Sequence, residues 1–362
     1  MKSIAWGAKT ALSKLERLEI DRPEPKDNEV VIEVLYAGVC HSDIHQVKNE
    51  WANTLYPCVP GHEIVGRIKS LGSATSRFRE GDMVGVGCMI DSCRECEPCS
   101  HGDQNYCEGP NGWLATYNGP MTPATETEDG VNTYGAERDN TFGGYSDVVV
   151  VPEDFVLTLP EGLDPKAAAP ILCAGVTTWS PMQHWGIGPE HHVAVLGLGG
   201  LGHMAVKLAK AMGCTVTVLT STPEKLDEAR TLGADNAVIS TDKTGLAAFK
   251  GAFDFILSTV PEKHEVGPLL DLLKRDGDIV VVGNLDVIDG VDNSKLAFRR
   301  QSVSGSLIGN LDETQDVLDF CAANGIAPEV QMIDIQDINE TWVKIENGEA
   351  RYRYVIDMKS LS

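Results

Sequence analysis

The stretch that most restricts the fold is "VAVLGLGGLGHMAVKLAKAMG", residues 193–213. An apolar strand-like run is followed by Gly197, Gly199 and Gly202 in G-x-G-x-x-G order and then by a helical run. Alone such a triplet is weak. Between a strand and a helix it marks a phosphate-binding turn, because glycines allow the tight bend and let backbone N–H groups reach a pyrophosphate at the positive end of the helix. Gly200 adds further room.

The alternation continues on both sides of this turn. "TVTVLT", "DNAVIS", "FDFILSTV" and "DIVVVG" read as strands, and "EKLDEARTLGA" and "VGPLLDLLKRDG" as helices, which predicts a doubly wound parallel sheet with helices on both faces. The second strand ends at Thr220, Ser221, Thr222, Pro223, Glu224 and Lys225. An NAD site usually carries a carboxylate there for the adenine ribose. Small hydroxyls with a lysine suit the 2′-phosphate of NADP(H) instead. Glu224 turned toward the ribose would favour NAD, and Lys225 also reads as a solvated helix residue.

Residues 1–156 have a different rhythm. Short Val/Ile runs such as "NEVVIEVLYAGVC", "HEIVGRIKSLG" and "GDMVGVG", broken by Gly, Pro and Asp, predict a mostly β domain. At 362 residues the chain exceeds one simple core, so two domains are expected, the second over 157–299. Past residue 300, "DETQDVLDFCAANG" reads as a helix and "RYRYVID" as a closing strand. No apolar run reaches the length of a membrane helix. The formal charge of −23 repels a nucleic-acid backbone. The N-terminal "MKSIAWGAKTALSKLERLEI" lacks the basic start and apolar block of a leader, and a cytoplasmic location is expected.

Ten cysteines in such a chain point to metal rather than disulfides. "CRECEPCSHGDQNYC" sets Cys93, Cys96, Cys99 and Cys107 in a C-x2-C-x2-C-x7-C array, a spacing that closes a tetrahedral zinc shell. Cys88 and His101 are rival ligands. Four protein ligands leave no open position, so this zinc braces a loop. A second set is more dispersed: Cys40 in "GVCHSDIH", His62 in "PGHEIVG" and Cys173 in "LCAGVTTWSP". They suit a three-ligand zinc with an open fourth position. Cys40 and Cys173 fall in different expected domains, so the rival reading is buried core thiols.

Taken together, "GVCHSDIH", "PGHEIVG", the cysteine array, "CAGVTTWSP", "GLGGLG", "GSLIGNLDETQDVLDFC" and "RYRYVID" resemble the zinc-dependent medium-chain alcohol dehydrogenases, in their cinnamyl-alcohol-dehydrogenase-like branch. "SDIHQVKNEW" and "YPCVPGHEIVG" are most similar to bacterial broad-range NADPH-dependent aldehyde reductases. The resemblance implies a GroES-like β-rich catalytic domain, to which 300–362 returns, and a Rossmann domain. It implies catalytic zinc on Cys40, His62 and Cys173 with Glu63 beside it, structural zinc on the four clustered cysteines, and Asp43 orienting a ligand. Ser42 and His45 match a proton relay, needed because hydride transfer moves no proton by itself. In that relay the serine passes the proton through the cofactor ribose to the histidine. Cofactor neighbours implied are Ser42, Thr177, Gly197, Leu198, Gly199, Gly200, Leu201, Gly202, Thr220, Ser221, Thr222, Lys225, Thr259, Gly283, Ser306, Leu307 and Ile308.

The expected activity is interconversion of aldehydes, aromatic ones included, and primary alcohols with NADP(H), by a homodimer or tetramer. Two departures stand out. Plant relatives place a tryptophan where this chain has Ala115, with Trp113 offset, and residues 119–144 are unexpectedly long and acidic. Two rival functions are a non-catalytic nucleotide-binding or redox-sensing protein and a polyol dehydrogenase. The retained Ser42, His45 and ligand trio oppose the first. Cys173, where polyol enzymes often carry glutamate, opposes the second. His41 receives no role beyond lining or packing. His191, His192, His203, Cys58, Cys214 and Cys321 are read as ordinary residues.

Overall fold

The computed structural model describes every residue except 110–115, 119–124, 127–131, 134–139, 284–286, 289–290 and 362. Positions 113 and 115 and most of 119–144 therefore lie outside the described residues. Two compact units divide the rest. The first comprises Met1–Cys173, Asn310–Ala322 and Ala327–Ser362, and the second Ala174–Gly309 and Ala323–Ile326.

In the first unit the Val/Ile runs build a seven-stranded sheet in the order Val330–Ile333, Arg353–Asp357, Glu29–Val39, Ile64–Leu71, Met83–Val86 and Leu157–Thr158, with Val148–Pro152 also paired to Glu29–Val39. Only the first of these pairs is parallel. Glu29–Val39 is the central strand, and its Val30, Val31, Ile32, Val34, Ala37 and Val39 are all buried. Such a run needs cover on both faces. The helix Pro165–Pro170 supplies some of it, packing on Glu29–Val39, Ile64–Leu71 and Arg353–Asp357. This burial of Ala167, Ala168 and Ala169 is why the chain leaves the unit at Cys173/Ala174, beyond the expected 156/157, and re-enters at Asn310.

The second unit is a six-stranded parallel sheet in the order Asn236–Ile239, Thr215–Thr220, His192–Leu196, Phe253–Ser258, Leu273–Val281, Ser302–Gly305. This is the strand order of a dinucleotide-binding fold. Val193, Val195, Val218, Phe255, Ile256 and Leu257 are fully buried, as parallel strands between helix layers must be. Each such side chain contributes about 1.5–3 kcal/mol. One expected helix is absent: "VGPLLDLLKRDG" gives a short 3-10 turn, Gly267–Leu272, and its remainder enters the next strand. Leu273 pairs with Phe253, and a bulge at Asp276, whose φ is +66°, precedes the resumption of pairing at Asp278.

Candidate metal and cofactor sites

The stretch "GVCHSDIH" ends the central strand and starts the helix His41–Val47, with Cys40 as its extended N-cap residue. Asp43, in the first turn, accepts through Oδ2 from the Cys40 backbone N–H at 3.0 Å, half of a capping box. Its other oxygen, Oδ1, accepts from Gly61 N–H at 2.8 Å and lies 3.0 Å from His62 Nδ1. Because an ionised carboxylate only accepts, Nδ1 carries the proton and the lone pair of Nε2 is free. One buried side chain thus fixes the cap, the loop and the tautomer.

His62 Nε2 has no hydrogen-bond partner although the residue is buried. Around it stand Cys40, Cys173 and Glu63, with donor atoms all within 4.8 Å of one another. Cys173 sits in a single π-helical turn, Ile171–Gly175, a deviation frequent at functional sites. Two thiols, an imidazole and a carboxylate at this separation suit a tetrahedral zinc ion, and a buried ring nitrogen without a partner is costly unless something binds it. These residues fit the metal.

The ionisable groups of this cluster shift one another. The Cys173 thiol, with Arg353 and His62 close by, holds Cys40 well below the ordinary thiol range, while the same bond to Cys40 raises Cys173. Burial opposes a charged His62, but Asp43, Cys88 and Cys40 together raise the ring. Burial pushes Glu63 up to about 7 against the pull of Arg353. Arg353 Nη1 lies 3.2 Å from Glu63 Oε1, and both residues are buried.

The four clustered cysteines form the other compact donor group among the described residues, also within 4.8 Å. Backbone N–H groups aim at their sulfurs: Cys96 at Cys93 (3.3 Å), Cys93 and Gly109 at Cys107 (both 3.3 Å), and Glu108 at Cys96 (3.4 Å). Backbone donors at Glu95 and Cys96 bring the Cys93 thiol down to about 6, whereas burial raises Cys107 to about 12. The rivals fall away. His101 is exposed and paired to Glu97, and Cys88 belongs electrostatically to the Cys173 and His62 group.

In the second unit Gly197 has φ +91°, and a Cβ on Gly202 would lie 2.2 Å from Gly197 O, so the turn and the close approach of strand to helix require glycine. A Cβ on Gly199 would meet nothing within 4 Å, so the chain itself does not demand glycine there. An open cradle before the helix Gly202–Ala211 fits a pyrophosphate. Leu198, Gly200 and Leu201 complete that turn. Thr220 closes its strand, and Thr222 N–H donates to its Oγ1. Ser221 is exposed, Lys225 begins a helix, and Glu224 is its exposed N-cap. Thr259, Gly283, Ser306, Leu307 and Ile308 follow the C-terminal ends of the next three strands, the edge where such sheets bind ligands. Thr177 is buried in the helix Val176–His184.

Ser42 and His45 occupy the helix after Cys40. Sequence reasoning passed over three partners. Glu50 pairs with His45 Nδ1, Arg353 pairs with Glu63, and the Tyr117 ring lies 4.5 Å from that of His62. Glu50, just beyond the same helix, was locally visible. Arg353 reaches Glu63 only through strand pairing, which leaves no local signal. His191, His192 and His203 bond within their own unit and belong to neither donor group.

The chain is similar to known proteins over its whole length. Residues 26–161 match the family described as alcohol dehydrogenase GroES-like domain, and residues 200–323 the zinc-binding dehydrogenase family. An aldehyde reductase of Escherichia coli, YahK, is 45% identical, with 100% of each chain covered. The solved cinnamyl alcohol dehydrogenase SbCAD4 of Sorghum bicolor is 40% identical at a TM-score of 0.89, covering 99% of this chain and 98% of that one. The Helicobacter pylori enzyme CAD, solved in complex with NADP(H), is 33% identical at a TM-score of 0.86, with 99% of each chain covered. Identity at this level over the full length of both units makes the chain a member of the zinc-binding alcohol dehydrogenases, and so an oxidoreductase.

Proposed function

We propose that this protein is a zinc-dependent, NADP(H)-dependent aldehyde reductase that interconverts aldehydes, aromatic ones included, and primary alcohols. The observation that carries the reading is the buried Cys40, His62, Cys173 and Glu63 group, with His62 Nε2 free and oriented by Asp43. The names of the E. coli and H. pylori relatives support both the reaction and the cofactor.

Cys40, His62 and Cys173 would hold the catalytic zinc with Glu63 as its neighbour, and Cys93, Cys96, Cys99 and Cys107 the structural one. Residues 197–202 would hold the pyrophosphate, and Thr220, Ser221, Thr222 and Lys225 the 2′-phosphate, with Thr177, Thr259, Gly283 and residues 306–308 as further cofactor neighbours. The chemistry supplied by the bound groups is Lewis-acid polarisation of a carbonyl and hydride donation. The chain's own residues manage the proton. Ser42 presents a hydroxyl that both donates and accepts. His45, whose side chain is 35% exposed, exchanges the proton with solvent while Glu50 occupies its Nδ1.

The same reading includes a homodimer in the reducing cytoplasm. Ser302–Gly305 ends its sheet with one paired edge, near exposed Phe298 and Val287 in sequence, which suits continuation by a second copy. Light scattering should return twice the chain mass. The decisive experiment measures NADPH and NADH oxidation with benzaldehyde and with aliphatic aldehydes on zinc-quantified protein. NADPH should be preferred with benzaldehyde turned over. Equal rates with NADH would remove the 2′-phosphate assignment, and full turnover by metal-free protein would remove the mechanism.

A further inference from the structure

The glycine turn rests on a neighbour. Thr259 and Val260 follow the strand Phe253–Ser258, and they press against the turn from the next strand of the sheet. A Cβ on Gly197 would lie 2.9 Å from Thr259 Oγ1 and 3.2 Å from Val260 Cγ2, and one on Gly202 would lie 3.2 Å from the same hydroxyl. A Cβ on Gly283, beyond the following strand, would strike Val260 O and the Thr259 carbonyl carbon. Three glycines thus admit one two-residue segment. Thr259 N–H donates to Leu196 O at 2.9 Å, and its hydroxyl lies 2.9 Å from that oxygen and 3.3 Å from Gly197 O.

Past Val260 the chain is irregular until Gly267, and Pro261, Glu262 and Lys263 are exposed. A histidine ties this stretch back. His264 Nδ1 lies 2.9 Å from Glu262 O, and its Nε2 lies 2.9 Å from Ser258 Oγ. A carbonyl oxygen only accepts, so Nδ1 carries the proton, and the Ser258 hydroxyl donates to the bare Nε2. Ser258 is a fixed anchor: it is fully buried, and its carbonyl accepts from Val282 and Gly283 N–H at 3.0 and 3.2 Å. Packing alone does not select a hydroxyl there, since Ile256 and Leu257 before it are apolar and equally buried. The serine and the histidine close a loop, and the first two residues of that loop are Thr259 and Val260.

We infer that His264 is a positioning residue for the cofactor site. Its bond to Ser258 pins residues 259–263 at both ends and so holds Thr259 and Val260 against Gly197 and Gly202. The inference rests on the reading of the glycine turn as the pyrophosphate site. His264 is assigned no contact with cofactor or substrate, and no bond is made or broken by it.

The test compares zinc-quantified His264→Ala, His264→Gln, Ser258→Ala, the double alanine variant and Gly199→Ala with the parent. It follows NADPH affinity by fluorescence titration, kcat and KM for benzaldehyde at saturating NADPH, and hydrogen exchange over residues 259–266 without cofactor. His264→Ala should raise the NADPH Kd by about tenfold and speed exchange, with kcat and the benzaldehyde KM within about twofold. Ser258→Ala should act in the same direction, and the double variant should be no worse than the poorer single, as for two ends of one bond. His264→Gln, whose amide oxygen can accept from Ser258, should recover most of the affinity.

Unchanged NADPH binding in Gly199→Ala removes the pyrophosphate reading and this inference with it. Weakened binding in Gly199→Ala beside an unaffected His264→Ala removes this inference alone. A lower kcat with an unchanged Kd in His264→Ala would make the positioning role wrong, and a His264→Gln as weak as His264→Ala would remove the Ser258 bond as its cause. A lower melting temperature with unaltered Kd would leave His264 a purely structural residue. Should His264→Ala fail to fold, Ser258→Ala and His264→Gln carry the same comparison.

Discussion

The two thiol-rich groups of the first unit use similar atoms in opposite ways. Cys93, Cys96, Cys99 and Cys107 come from one short loop, three of them partly accessible, and their sulfurs are oriented by the loop's own backbone N–H groups. Cys40, His62, Glu63 and Cys173 are all buried and arrive from three separate segments, oriented by the side chains of Asp43 and Arg353. A local group with backbone support can be built wherever its spacing occurs. A dispersed group needs the sheet first, and its supporting side chains can be lost one at a time. Closing a loop and opening a coordination site to a substrate call for these different constructions.

The sharpest way to separate them is to remove one sulfur from each. Cys40→Ser should lower kcat/KM for aldehyde reduction by at least about a thousandfold and remove a zinc, with melting temperature changed by only a few degrees. Cys99→Ser should also lose a zinc, but its effect should be a melting temperature lower by roughly 10 °C, with folded molecules still turning over. Interchanged phenotypes would reverse the two assignments.

Arg353→Gln tests the buried support. It leaves the Glu63 carboxyl without its partner cation, and breaking a buried pair costs about 3–5 kcal/mol. Thermal unfolding should show this loss, and adding Glu63→Gln should recover most of it. A single variant as stable as the parent would mean that the pair supports nothing. Asp43→Asn should weaken catalytic zinc binding by about 10–100-fold in a chelator competition, while the loop zinc is unaffected.

The smallest effect concerns protons. Thiolate is the ligand form, so acid competes with zinc at every cysteine. Because backbone donors hold Cys93 down to about 6, that thiol is largely ionised at pH 8 before metal arrives. Zinc binding by the loop at pH 8 should therefore release fewer than four protons, and affinity should fall further as pH drops through about 6. Calorimetry in buffers of different ionisation enthalpy counts the protons, and a full four would contradict the low Cys93 value.

How much of this was legible in the chain follows the same division. The cysteine array, the glycine turn and the alternation of strands and helices are local patterns, and each stands in the structure where its spacing placed it. The misread helix "VGPLLDLLKRDG" shows the limit. Its leucines carry helical spacing, but pairing with Phe253–Ser258 drew half of it into the sheet. The unit boundary moved to Cys173/Ala174 for a similar reason, because an alanine-rich helix found its cover on the first sheet.

By itself the sequence determined what depends on neighbours along the chain: a loop able to close on a metal, a turn open to a pyrophosphate, and the types of side chain that chemistry would need. Only the tertiary structure decided which of those side chains meet. Arg353 reaches Glu63, and Cys173 reaches Cys40 and His62, because strand register and burial bring distant residues within contact. Such distances are set by the packing of a whole sheet, and no short window of residues encodes them.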